Sequence, residues 1–73
     1  MDIFEAAQRL QDRLRGHDWL MAVAVGGLGD KEVIFVDTKR SVKNRELESL
    51  KAEGWMGFDV KVRRVGQIIP AGS

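Results

Sequence analysis

The stretch WLMAVAV, residues 19 to 25, is apolar at every position. Seven residues are too few for a buried helix, so the run reads as a strand covered on both faces and placed mid-sheet. The next apolar run, EVIFVDT at 32 to 38, is β-branched and aromatic. Between them GGLGDK supplies several glycines and Asp30 for a hairpin loop, so the first two strands are expected to pair antiparallel.

Helical signals flank this hairpin. Ile3, Ala7, Leu10 and Leu14 recur at spacings of four, three and four, with Phe4 widening the stripe, which marks one face of a helix over residues 2 to 15. Asp2 suits its cap, Glu5 stands where a capping box places an acid, and Gly16 suits its end. A second, narrower helix is expected in KRSVKNRELESLKAEG, with Ser41 or Asn44 as cap, Leu47 and Leu50 on one side and Gly54 at its end. The final strand, roughly 57 to 65, alternates Phe58, Val60 and Val62 with Asp59, Lys61 and Arg63.

The order helix, strand, strand, helix, strand gives an α+β domain over residues 1 to 73, with 70 to 73 a loose tail. A crossover helix returns the third strand parallel to the second. If that strand lies beside the very apolar first one, the sheet order is 2-1-3, all neighbours are antiparallel, and both helices cover one face. The other face then has no lid. An uncovered apolar face marks an association surface, so a homodimer or docked protein partner is expected. Register decides whether Trp19, Met21 and Val23 or Leu20, Ala22 and Ala24 line it; the favoured set is Trp19, Met21 and Val23 with Phe35, because aromatic and Met residues anchor interfaces.

Chemistry is sparse. No cysteine is available for a disulfide or thiolate site, and His17 stands alone. Ser41 and Ser49 have no neighbouring base, so no catalytic set, cofactor site or metal site is expected, and the domain reads as non-enzymatic. GGLG links two strands, where glycines serve the turn rather than a phosphate. Lys39, Arg40, Lys43 and Arg45 form a basic cluster that Arg63 and Arg64 could join, the basis of an alternative reading as a nucleic-acid- or phosphate-binding module. Against it, 12 basic and 11 acidic residues give a net charge of only +1. No run is long enough for a membrane span and no signal-peptide block opens the chain, so a cytoplasmic setting is expected.

MAVAVGG, VIFVDTKR and GFDVKVRRVGQIIPA together resemble the small domain that precedes trypsin-like serine peptidase domains in some bacterial and plant proteins. That resemblance implies the same strands and a turn at Gly66, and brings no catalytic residue with it. The element order is also similar to the BON domain, a membrane- or partner-binding module.

Overall fold

The computed structural model describes residues 1 to 64, whose elements run α1 (Ile3–Leu14), β1 (Leu20–Leu28), β2 (Lys31–Thr38), α2 (Arg45–Glu53) and β3 (Asp59–Arg64). The tail expected at 70 to 73, the turn at Gly66 and the last residue of the expected strand, Val65, lie outside the described residues.

Both helices begin on side-chain caps. The Glu5 backbone N–H donates to Asp2 Oδ1 at 2.8 Å, and Asn44 Oδ1 accepts from the N–H groups of Glu46 and Leu47 at 2.8 and 3.2 Å. Asn44, not Ser41, is therefore the cap of α2. Each bond satisfies an amide that the first helical turn leaves without a partner.

The fold is α+β with two helices and a three-stranded sheet, but the strand order is β1-β2-β3, not 2-1-3. β1 and β2 are antiparallel, as the hairpin demands, while β2 and β3 are parallel, so the sheet is mixed. The reason lies in side-chain size. On the face away from the helices β1 presents Ala22, Ala24 and Gly26, too small for a second buried layer, whereas Val33 to Val36 of β2 can fill both faces. β2 therefore takes the centre, and the crossover through α2 sets β3 beside the strand it left.

The core lies between the helices and one sheet face. Ile3, Ala6, Ala7, Leu10 and Leu14 of α1, with Leu47 and Leu50 of α2, pack on Ile34, Val36 and Val60. Val23, Val25 and Val62 close its margins. Among the described residues, every fully buried side-chain nitrogen or oxygen has a hydrogen-bond partner.

The hairpin loop is shorter than GGLGDK suggests: only Gly29 and Asp30 turn, while Gly26, Gly27 and Leu28 belong to β1. At the other end of β1 the register slips between Leu20 and Ala22, leaving Met21 unpaired in a bulge. That extra residue breaks the simple alternation from Trp19 to Val23.

Candidate functional site: the β1 edge and the open sheet face

The register places Ala22 and Ala24, not Trp19 and Val23, on the open face, and the bulge sets Met21 apart from both. Trp19 is buried at 5% exposure, joins the core, and stacks on His17 with ring centroids 4.6 Å apart. Val23 pairs with Val36 and packs on the core side. Met21 is exposed at the bulge. Phe35 alone lies on the open face as expected.

The open face proves less apolar than the sequence suggests. Phe35 leans over Gly26 so closely that a Cβ there would stand 2.5 Å from its ring, an approach only glycine permits. Arg63 covers the ring from the β3 side, its guanidinium carbon 4.2 Å from the centroid. The same guanidinium donates to both oxygens of the nearly buried Asp37 at 2.8 and 3.0 Å. These hydrogen bonds, with the Asp37 charge behind them, raise the Arg63 pKa further above its ordinary value against a smaller opposing desolvation. Arg63 of β3 thus covers part of the open face.

The basic cluster is only partly assembled. Thr38 Oγ1 bonds the carbonyls of Arg40 and Arg63 at 2.8 and 3.4 Å, joining the ends of β2 and β3. Arg64 donates to Ser41 Oγ at 3.3 Å, which places it beside the segment carrying Lys39, Arg40 and Lys43. Arg40, however, pairs with Asp18 at 3.4 Å, Arg63 is held by Asp37, and Arg45 starts α2. Among the described residues no three His, Asp or Glu side chains gather, and no helix is long and apolar enough to cross a membrane.

The surface that sequence reasoning missed is the edge of β1, which no strand among the described residues covers. A central β1 has no edge to offer, and the apolar stripe of α1 includes Phe4. Phe4 is instead 70% exposed. With Ala7, Gln8 and Gln11 of α1 and Val23 and Val25 of β1 it lines a groove of about 360 Å³. This flank of α1 looks away from α2: on the opposite flank the Ala6 carbonyl accepts from Trp55 Nε1, and Arg13 bonds Glu46. The groove therefore runs along the outer edge of the sheet. One signal was available: Phe4, Gln8 and Gln11 recur at spacings of four and three beside the Ile3 stripe.

Backbone polarity follows from the two-residue turn. A tight turn bonds its flanking residues, so Leu28 and, two and four residues back, Gly26 and Ala24 direct their N–H and C=O groups at β2. Gly27, Val25 and Val23 direct theirs outward. None of the nine residues of β1 is charged and none is proline, whereas the other edge strand, β3, carries Asp59, Lys61, Arg63 and Arg64. Charges and prolines are the usual protection of an edge against pairing. β1 has none.

Compared with protein-family models, curated proteins and solved structures, the chain finds no significant match. The likeness to the peptidase-associated domain therefore rests on the motifs quoted above, and that to the BON domain on element order.

Proposed function

We propose that this is a non-enzymatic interaction domain that works by contact, through the edge of β1 and the α1 flank beside it. One observation carries the reading: a nine-residue strand edge without charge or proline runs beside a groove whose rim carries the exposed Phe4. An extended segment laid along such an edge gains main-chain hydrogen bonds, and the groove can accept alternate side chains from it. The open face contributes less than composition suggests, since Arg63, held by Asp37, covers Phe35.

Selection of nine-residue peptides from a displayed random library against sparsely immobilised protein tests this reading. Enriched sequences should be apolar and extended, and should shift the amide signals of residues 21 to 27. Enrichment of acidic peptides that shift Arg40 and Arg64 instead would overturn it in favour of the basic patch. That second reading has its own support in the Arg64–Ser41 contact, which brings Arg64 to the segment carrying Lys39 and Lys43.

A further inference from the structure

Resting on the contact reading above, we infer that the occupant of the β1 edge is a second copy of this chain. The two copies pair β1 against β1 in antiparallel fashion about a two-fold axis at Val25, so that Val23 of each copy stands opposite Gly27 of the other. The result is a continuous six-stranded sheet with both α1 helices on the same face, side by side across the axis.

Charge chooses the occupant. A two-fold interface sets each patch against itself, so any charge on it meets its own sign. The strip formed by β1 and the Phe4, Gln8 and Gln11 flank of α1 carries no ionisable side chain, although 32% of the chain is charged. A neutral strip in so charged a chain tolerates self-apposition, and it offers a charged heterologous partner nothing to pair with.

Shape and hydrogen bonding agree. Val23, Val25 and Gly27 offer outward N–H and C=O groups, and an antiparallel copy returns the same set in reverse order. The outer-face residues Ala22, Ala24 and Gly26 are small and leave the approach unobstructed. On the helical face, the Phe4 of each copy stands opposite the other copy's groove, where Val23 and Val25 are not fully covered. A paired edge of seven residues, about 25 Å long and about 20 Å deep across the sheet and helix layers, hides roughly 500 Å² per copy, about 1,000 Å² in total, where a specific interface begins. A weak dimer, forming at micromolar to millimolar concentration, is the affinity such an area suits.

Light scattering across a concentration series up to 1 mM, with amide hydrogen exchange at both ends of the series, tests the inference. The expected result is a monomer-to-dimer transition in which the amides of Val23, Val25 and Gly27 become protected as the dimer forms. The double variant Phe4→Lys, Met21→Lys, altered only at exposed positions, should keep its circular dichroism spectrum and raise the dimer Kd at least tenfold. A strict monomer at 1 mM overturns the inference, as does a dimer in which those three amides still exchange freely. In either case peptide selection at residues 21 to 27 can still succeed, so failure of the homodimer and failure of the contact surface are told apart.

Discussion

The indole Nε1–H of Trp55 donates a 2.9 Å hydrogen bond to the carbonyl oxygen of Ala6, fastening the segment after α2 to the middle of α1. The ring is steadied from outside by Arg13, whose guanidinium carbon lies 5.9 Å from it. Trp55 also exchanges two backbone bonds with Phe58 across a tight turn through Met56 and Gly57. One side chain thus couples both helices to the start of β3. Trp55→Phe keeps most of the ring and removes the donor, so it should cost about 1 kcal/mol and lower the melting temperature by roughly 4–8 °C. Thermal unfolding by circular dichroism reads this directly; an unchanged transition would show that the bond adds nothing.

Gly26 and Phe35 are expected to be strongly coupled. A methyl group at residue 26 collides with the Phe35 ring, so Gly26→Ala should destabilise by about 1–3 kcal/mol. In a Phe35→Leu background the collision is relieved and the added cost should shrink. A double-mutant cycle in urea with zero interaction energy would contradict the observed approach.

Leu10 and Phe4 share α1 but face opposite fates. A domain of 73 residues has about 4–11 kcal/mol of stability in total. Leu10→Ala empties a fully buried site and should remove about 2–5 kcal/mol, leaving a partly unfolded protein. Phe4→Ala, at an exposed position, should change the stability of the isolated chain by no more than about 0.5 kcal/mol. Urea titrations at low protein concentration compare the two.

Arg63 and Arg64 are neighbours with different duties. Arg63→Met leaves the Asp37 carboxylate nearly buried without its two donors, whereas Arg64→Met gives up one 3.3 Å contact with Ser41. The first should lower the melting temperature clearly more than the second, and Arg63→Lys should restore only part of the loss, because an ammonium lacks the planar fork. The Arg63 pKa is raised in the fold, so its contribution is complete below the unfolded value and fades only as pH climbs through the still higher folded one. Comparing wild type with Arg63→Met, the difference in melting temperature arising from the arginine should be flat between pH 7 and pH 10.

The elements themselves were legible in the sequence, down to the Asp2 cap and the alternation of Val60 and Val62 against Lys61 and Arg63, because caps and periodicity act locally. Strand order was not. WLMAVAV looks like a central strand by hydropathy alone, yet Ala22 and Ala24 count as apolar while offering little surface to bury. The bulge at Met21 was equally hidden, since a single inserted residue leaves no periodic trace, and the placement of Trp19 and Val23 on the core side turned on a register that an all-apolar run does not encode. Exposure of Phe4 depended on which edge of the sheet α1 overhangs, a tertiary fact.

Parallel pairing of β2 with β3 has a consequence for how the chain assembles. The hairpin of β1 and β2 closes across two residues, but β3 can dock only after the whole crossover has been traversed, and such distant closures come late. On a growing nascent chain the VIFV run would therefore wait with one flank bare until residue 59 emerges, its most aggregation-prone moment. Val60→Ala should accordingly quicken unfolding and leave the refolding rate nearly untouched; slowed refolding would place β3 in the nucleus instead.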